Sequence, residues 1–410
     1  MKNGWQTRKL IDVCPTIQDG AHESPKRQFD GPGEGRYLYI TSKNIRMNYM
    51  DLRDVSYVER DFHDRIYPRC QPRVGDVLLT KDGANTGNVT LNTLDEEFSL
   101  LSSVCLIKTN PAALNPAFLC YYLQSPDGLE GIVGRMTGAA IKRIILQNVK
   151  LATIPLPPIA EQQRIVGVLD EAFAAIATAR ANTEQNLRNA RELFDGQLQS
   201  VFNQRGSEWV ERAFGELIES NVIGLTKNSR DQGEDGPWPY VKMNNITRDN
   251  RFDFSRFVCV EATDEEVDKF ALRDGDFLFN TRNSYELVGK SCIYESESDQ
   301  VVLFNNNIMR IRFKPAVDAK FVLLAFSSIG VVDELSALKS GTTNVSAIYF
   351  KDLKSLAIPV PPIAEQKTVA AKLESLVAKI QLLTSIHERK LAALDALKQS
   401  LLHQAFTGAL

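Results

Sequence analysis

The sequence predicts two mixed α/β modules in tandem, each followed by a long helix, with the two helices paired as an antiparallel coiled coil. The main observation is a repeat. Residues 157–163 recur as residues 361–367, 204 positions later in a chain of 410, with six of seven residues identical. Both copies contain Pro-Pro-Ile-Ala-Glu-Gln, and a long helical pattern follows each. A repeat at half the chain length indicates two copies of one design, which can fold with internal pseudo-two-fold symmetry.

Further matches in the same order extend the repeat over both halves of the chain. Each match is short enough to arise by chance, but their shared order and nearly constant spacing are typical of a duplication. The pairs are Trp5 with Trp209, Tyr39 with Tyr240, Gly75-Asp76 with Gly275-Asp276, and Pro111 with Pro315. Few other residues match outside the helices, so we expect the two modules to share an architecture and to differ in their recognition surfaces.

Short apolar runs separated by Gly, Pro and Asn clusters predict the strands of each module. In the first module the predicted strands are 37–40, 76–80, 88–91 and 103–107, with a helix over 117–124. In the second they are 238–241, 276–280, 291–294 and 307–313, with a helix near 319–328. The predicted domains are a first module (1–155), a first helix (156–206), a second module (207–358) and a second helix (359–410).

The residues at the start of each long helix suit a helix N-terminus. A proline in the first turn loses no hydrogen bond, and the helix dipole favours the carboxylate of Glu161 there. From residue 159 to 204 the first helix would measure about 70 Å, longer than one module needs. Each helix packing along its own module is the alternative, but two equal long helices favour antiparallel pairing.

Apolar residues in both helices recur at alternating spacings of three and four, which is typical of a coiled-coil seam. We expect His387 and Lys390 to interrupt the second stripe, and Gly196 is a candidate kink in the first. The positions predicted to pack the helices or dock other subunits are Ile165, Leu169, Ile176, Leu187, Phe194, Leu373, Leu376, Ile380, Leu383, Leu394 and Leu397.

The amino-acid composition limits the classes of protein to which this chain can belong. Hydrophobic residues make up 43% and the mean hydropathy is −0.20, as in ordinary globular proteins. No apolar run approaches the roughly 20 residues that span a bilayer, and the N-terminus lacks the apolar core of a secretory signal. The six cysteines form no Cys-x-x-Cys pair, so neither a zinc site nor a disulfide framework is indicated. We therefore expect a cytoplasmic protein without a membrane partner or a metal site.

Charge is unevenly distributed between the modules. Residues 1–150 carry 19 basic and 17 acidic residues, a net charge of +2, whereas residues 207–350 carry 16 and 23, a net charge of −7. Bulk charge in the second module therefore opposes nonspecific binding to a polyanion. Contact with nucleic acid would need a local basic patch or a partner that supplies phosphate contacts.

Catalytic motifs are incomplete in this sequence. The glycine-rich segment 31–36 has Arg36 where a nucleotide loop needs its last glycine. Gly289-Lys290-Ser291 ends like a phosphate loop, but Ser284 replaces the leading glycine and a strand is predicted to follow. His387-Glu388 starts like a zinc protease helix and lacks the second histidine. With only four histidines and no motif for amino methylation, catalysis by this chain is not expected.

The twin Pro-Pro-Ile-Ala-Glu-Gln helices, the duplicated tryptophan, the Gly-Asp strands and the C-terminal segment 401–410 together resemble the DNA-specificity subunit of type I restriction–modification systems. The resemblance spans the whole chain. It implies two target recognition domains that each bind one half of a split, asymmetric site in double-stranded DNA. It implies a coiled coil that sets the spacing, two docked methyltransferase subunits, and motor–nuclease subunits for cleavage. It also implies no active site here, with S-adenosylmethionine, ATP and magnesium on the partners.

Candidate DNA-binding residues follow from side-chain type and from placement beside predicted turns. Arginine and lysine suit guanine edges, and asparagine and glutamine suit adenine. The candidates are Lys43, Asn44, Arg46, Lys81, Lys142 and Arg143 in the first module, and Lys242, Asn244, Asn245, Arg282, Asn283, Thr343 and Asn344 in the second. Any one of these residues could equally be a solvated loop residue.

Two other classes of function stay open at this point. The acidic second module is compatible with an interaction adaptor that no longer recognises DNA. The Gly289-Lys290-Ser291 segment is compatible with an enzyme that holds a phosphate. Binding of random duplex DNA, and nucleotide affinity of a Lys290→Ala variant, discriminate the three.

Overall fold

The computed structural model describes residues 4–133, 143–296, 298–342 and 344–410, and the chain forms two compact units. The first unit comprises Met1–Glu184 and His387–Leu410, and the second comprises Gln185–Ile386. Each unit therefore contains one module and a stretch of each long helix. The four domain boundaries drawn from the sequence stay a prediction.

The first unit combines short strands with short helices before the first long helix. Its strands are β1 (Gln6–Lys9), β2 (Thr16–Asp19), β3 (Arg36–Ile40), β4 (Ile45–Arg46), β5 (Tyr49–Met50), β6 (Ser56–Glu59), β7 (Val77–Thr80), β8 (Val89–Leu91), β9 (Phe98–Leu100), β10 (Val104–Lys108) and β11 (Thr153–Leu156). Its helices are α1 (Leu10–Val13), α2 (Arg60–Ile66), α3 (Pro116–Gln124), α4 (Pro126–Val133), α5 (Leu146–Leu151) and α6 (Ile159–Asn203), whose last residues belong to the second unit. A 3₁₀ turn covers Tyr67–Arg69.

The second unit repeats this order of elements. Its strands are β12 (Val210–Ala213), β13 (Ile218–Ile223), β14 (Gln232–Gly233), β15 (Trp238–Val241), β16 (Val258–Val260), β17 (Asp276–Asn280), β18 (Arg282–Asn283), β19 (Ser291–Tyr294), β20 (Leu303–Phe304), β21 (Ile308–Phe313), β22 (Ser340–Gly341), β23 (Ser346–Ala347) and β24 (Ala357–Val360). Its helices are α7 (Phe214–Leu217), α8 (Asp264–Phe270), α9 (Ala319–Ala325), α10 (Ile329–Ala337), α11 (Phe350–Leu353) and α12 (Ile363–Thr407), which ends in the first unit. Two 3₁₀ turns cover Ser229–Asp231 and Met243–Asn245.

Sheet topology confirms the internal repeat. The first unit has an antiparallel sheet of order β2-β10-β7-β8, and the second has one of order β13-β21-β17-β19. A smaller sheet follows the same rule in both: β3 lies between antiparallel β6 and parallel β9, and β15 lies between antiparallel β16 and parallel β20. The first and last strands of each module also pair, as β1 with β11 and β12 with β24. The predicted α/β modules in tandem are therefore confirmed.

A tightly packed glycine recurs after the first strand of each four-stranded sheet. A Cβ atom on Gly20 would lie 2.2 Å from the carbonyl oxygen of Leu100, and one on Gly224 would lie 2.4 Å from that of Asn305. No side chain fits at such distances, so glycine is required where these backbones approach.

The long helices run antiparallel in the first unit. The side chain of Arg164, near the start of α6, donates to the backbone oxygen of Leu410 at 2.8 Å. Further along α6, Arg180 forms an ion pair with Asp395 of α12. Residue numbers rise in one helix as they fall in the other, so this stretch of the predicted antiparallel pairing is confirmed.

The helices also complete the core of each unit. In the first unit Ile165 and Leu169 of α6 share a buried cluster with Leu402, Ala405 and Phe406 of α12. In the second unit the corresponding cluster contains Leu198 and Phe202 of α6 with Ala370 and Leu373 of α12. Each module is therefore covered by the start of one long helix and by the end of the other. The core of each module packs against parts of both long helices and not against one helix alone.

The packed stripe of α12 differs in part from the predicted one. Leu383 and Leu397 lie 44% and 47% exposed, outside the stripe, whereas His387 and Thr384 are half-buried within it. Buried and half-buried residues at 373, 377, 380, 384, 387, 391 and 394 alternate at spacings of four and three, the 3.5-residue period of a coiled coil, and Leu376 and Gln381 are half-buried beside them. A polar histidine therefore occupies a position of the seam, and the expectation that His387 and Lys390 interrupt the apolar stripe stays a prediction. The other predicted packing residues are buried or half-buried.

The glutamine of the repeated motif anchors each long helix. The Nε2 atom of Gln162 donates to the carbonyl oxygens of Ala113 and Pro157, both at 2.9 Å, and its Oε1 accepts from the backbone N–H of Asn115 at 2.8 Å. Gln366 makes the same three kinds of bond, to the carbonyl oxygens of Ala316 and Pro361 and from the N–H of Asp318. Both glutamines are at most 1% exposed. The motif therefore joins the helix start to the loop before α3 or α9.

None of the helices formed by the described residues is both long enough and apolar enough to cross a lipid bilayer.

Candidate nucleic-acid interface

Three segments that carry predicted DNA-binding residues converge in the first module. The side-chain amide of Asn85, in the loop between β7 and β8, donates to the carbonyl oxygen of Ser42 at 3.2 Å. That of Asn88 donates to the carbonyl oxygen of Ile45 at 3.3 Å. The backbone N–H of Ile144 donates to the carbonyl oxygen of Lys81 at 2.9 Å. The loops around residues 43, 81 and 143 therefore lie together at one end of the four-stranded sheet.

The second module brings the corresponding segments together. The Nζ atom of Lys290 donates to the carbonyl oxygen of Met243 at 2.9 Å and also to that of Ile246. The backbone N–H of Ile348 donates to the carbonyl oxygen of Thr281 at 2.9 Å, and β18 pairs with β23 beside it. The two modules therefore present equivalent loop clusters, which share the backbone bond from Ile144 or Ile348 and fasten the first loop through different side chains.

Asn44 and Asn245 are buried, and their side chains fix the backbone of the first loop of each cluster. Their exposed fractions are 1% and 2%. Each side-chain oxygen accepts the N–H three residues earlier, at 3.0 and 2.9 Å, and each amide donates to a carbonyl oxygen across the loop, at 3.0 and 2.9 Å. Buried amides that are bonded to backbone shape the loop, whereas a base contact requires an accessible edge. Their predicted contact with DNA bases stays a prediction that this geometry does not favour.

Lys81 lies beneath the loop and not on its surface. It is 2% exposed, and its Nζ lies 3.0 Å from Oδ2 of buried Asp19, whose Oδ1 lies 2.7 Å from Nη2 of Arg69. Burial raises the pKa of Asp19, but the bonds from Arg69 and Lys81 outweigh it, so the pKa lies below the ordinary 3.8. This pair fixes the end of β7 to the end of β2. Asp19 was missed from the sequence because no local motif marks it.

The remaining candidates differ in accessibility. Arg46 is partly paired, with Nε 3.6 Å from Asp51, and Asn283 donates to Asn280 at 2.9 Å. Lys43 donates to Ser56 at 3.3 Å and Lys242 to Gln232 at 3.0 Å, so both are tethered at the loop edge. The exposed candidates are Lys43, Arg143, Asn244, Arg282 and Asn344. Lys142 and Thr343 lie outside the described residues.

The Gly289-Lys290-Ser291 segment does not form a phosphate loop. Gly289 has φ of +94°, and the predicted strand, β19, begins two residues later at Ser291, where a phosphate loop needs a helix. The ammonium of Lys290 is already bonded to two backbone carbonyls, and burial lowers its pKa. Its contacts fasten the loop at 243–246, which is a structural role.

Two copies of one module, with equivalent loop clusters whose side chains differ, define a duplicated recognition protein. Comparison with known families agrees. The model described as "Type I restriction modification DNA specificity domain" matches residues 2–187 and again residues 206–389. The chain therefore belongs to the type I restriction–modification DNA specificity family: it is a noncatalytic specificity subunit with DNA sequence recognition.

Similar proteins match over the full length of the chain. The EcoKI specificity subunit of Escherichia coli strain K12 is 26% identical over an alignment of 429 residues, which covers 100% of this chain and 90% of that protein. The StySPI specificity subunit of Salmonella potsdam is 25% identical, with the same coverage.

Solved structures show the same fold. A chain from an assembled type I restriction–modification system superposes with a TM-score of 0.78 at 20% identity, covering 100% of this chain and 99% of that one. The HsdS subunit from Thermoanaerobacter tengcongensis superposes with a TM-score of 0.59 at 20% identity, covering 100% and 98%.

Proposed function

We propose that each module recognises one half of a bipartite, asymmetric site in double-stranded DNA. The observation that supports this is the paired loop cluster: the two clusters share backbone contacts and differ in their exposed side chains. One carries Lys43 and Arg143, and the other carries Asn244, Arg282 and Asn344. Side chains that differ on one framework recognise different base edges, so the site need not be palindromic.

The long helices act as the spacer and as the docking surface for two methyltransferase subunits. The observation that supports these roles is that both helices are continuous, since α6 and α12 each run 45 residues without a break. Motor–nuclease subunits join for cleavage. S-adenosylmethionine, ATP and magnesium bind to the partner subunits, and this chain contributes recognition and assembly. A target base must leave the stack before methylation, and a subunit that holds the duplex on both sides assists that step.

Selection from random duplex DNA tests the recognition function. The full chain is incubated with its cognate methyltransferase subunit, and bound duplexes are sequenced. We expect a motif in two halves separated by unspecified bases. A motif without two halves, or no enrichment, would contradict the proposal and favour an interaction adaptor.

Lengthening the helices tests the spacer. Seven residues inserted into each helix near its midpoint preserve the seam and add about 10.5 Å, which corresponds to about three base pairs of DNA. The gap between the half-sites should grow by that amount, with both half-sequences unchanged. The matched control inserts seven residues in an exposed loop and should leave the gap as it was. Altered half-sequences with a constant gap would show that the helices are not the spacer.

A further inference from the structure

One β-bridge in the loop cluster carries an arginine in both modules, but on opposite strands. In the first module Asp82 faces Arg143 across an isolated antiparallel bridge. In the second module Arg282 of β18 faces Ala347 of β23. The residues before Asp82 and Arg282 accept the same backbone bond, from Ile144 and Ile348, so the two bridges are equivalent.

The arginine of the first module is held by a carboxylate. The Nε atom of Arg143 lies 3.0 Å from Oδ1 of Asp82, and the two side chains are 55% and 23% exposed. An acid that engages Nε fixes the plane of the guanidinium and leaves both terminal Nη groups available. Those two groups form the planar fork that can donate to two acceptors at once.

We propose that Arg143 recognises a guanine of the first half-site in the major groove, with Asp82 as its positioning residue. This inference rests on the proposed DNA recognition. The N7 and O6 atoms of guanine are the paired acceptors that an arginine fork matches. The alternative, a phosphate contact, is disfavoured because the carboxylate of Asp82 offsets the charge of Arg143 and would itself be repelled by the backbone. A neutral base edge does not repel the pair.

The second module lacks the positioning acid at this bridge. Ala347 is 7% exposed and has no polar group to offer. Among the described residues no ion pair involves Arg282, which is exposed. An arginine positioned by an acid at this bridge is therefore a feature of the first module, and the guanine contact is inferred for that module alone.

The test compares three variants of the full chain, each bound with the methyltransferase subunit. The probes are the duplex enriched by the unaltered protein and duplexes that carry each base-pair change in the first half-site. Asp82→Asn removes the charge of the positioning residue at constant shape. Arg143→Lys keeps the charge and removes the fork. Asp95→Asn is the matched control, because Asp95 is an exposed acid of the same module in the loop between β8 and β9.

We expect Arg143→Lys to reduce discrimination at one G·C pair by about tenfold or more, with an unchanged dependence of affinity on salt. Asp82→Asn should reduce it at the same base pair by about three- to tenfold, without weaker binding to unrelated duplexes. Asp95→Asn should leave discrimination intact, and the second half-site should not respond to any variant.

Three results would overturn the inference. Discrimination could survive Arg143→Lys, Asp82→Asn could weaken every duplex equally, or Asp95→Asn could match Asp82→Asn. In each case the unaltered protein still enriches a split motif, so the proposed function stands. Absence of any split motif with the unaltered protein would remove the proposed function and this inference together.

Discussion

The glutamine of the repeated motif offers the most direct test of how the long helices are attached. Gln162→Ala removes three hydrogen bonds, from the Asn115 N–H and to the Ala113 and Pro157 carbonyls. At about 1 kcal/mol net for each bond, the loss is roughly 3 kcal/mol. Burial makes this a lower bound, because Gln162 is 0% exposed and water cannot replace the bonds without entering the core.

Thermal unfolding of the full chain measures the effect. In a chain of 410 residues roughly 3 kcal/mol corresponds to a fall in Tm of about 3–4 °C. Gln163→Ala is the matched control, since it changes the same side chain at the next position, which is exposed. It should shift stability by less than about 0.5 kcal/mol. Equal effects of the two variants would refute the anchoring role of Gln162.

Two further substitutions test the framework of the first module. Gly20→Ala places a Cβ atom 2.2 Å from the Leu100 carbonyl oxygen and should cost about 1–3 kcal/mol of unfolding free energy, measured by urea unfolding, whereas Gly31→Ala meets nothing within 4 Å and should cost little. Equal costs at the two glycines would argue against close backbone approach. Asp19→Asn leaves buried Lys81 without its carboxylate and should destabilise by about 3–5 kcal/mol at neutral pH. Since the folded pKa of Asp19 is lowered, its stabilisation is present above pH 3.8 and is lost as pH falls through the folded pKa. The difference between the unaltered protein and the variant should therefore shrink below about pH 3.8, and a constant difference would contradict the role of Asp19.

Patterns within short stretches of the sequence were sufficient to predict much of the fold. The predicted strands at 238–241, 276–280 and 291–294 match β15, β17 and β19, and the first long helix begins at the predicted residue 159. Those elements are apolar runs with turn residues at both ends, or a helix whose start is marked by two prolines. Their signals lie within a few residues of each other in the chain.

Strands that form only by pairing with a distant part of the chain were not predicted from the sequence. Strand β1 has exposed residues throughout and becomes a strand only by pairing with β11, almost 150 residues later. It has no alternation of polar and apolar residues to detect, because neither face covers the core. The same reasoning applies to β12 in the second module, which is largely exposed and pairs with β24.

Side-chain roles within the loop cluster could not be predicted from residue type. The sequence placed Lys43, Lys81 and Arg143 only on or beside predicted turns, and the structure brings their loops together. Residue type alone could not show that Asn44 turns inward to bond backbone or that Lys81 pairs with Asp19. Lysine and asparagine suit both DNA and a buried polar contact, and only burial decides between them.

The residues that the two halves share bond mainly to backbone, and this explains how the halves diverge. Gln162 and Gln366 bond carbonyl and N–H groups, as do Asn44 and Asn245. Backbone groups are present whatever side chains the surrounding loops carry, so these anchors tolerate sequence change around them. The side chains at neighbouring exposed positions, such as Lys43 and Asn244, do not anchor the backbone in this way, so these positions are free to vary. Exchange of exposed loop residues between modules should therefore preserve folding, whereas exchange of an anchor for a residue without an amide should not.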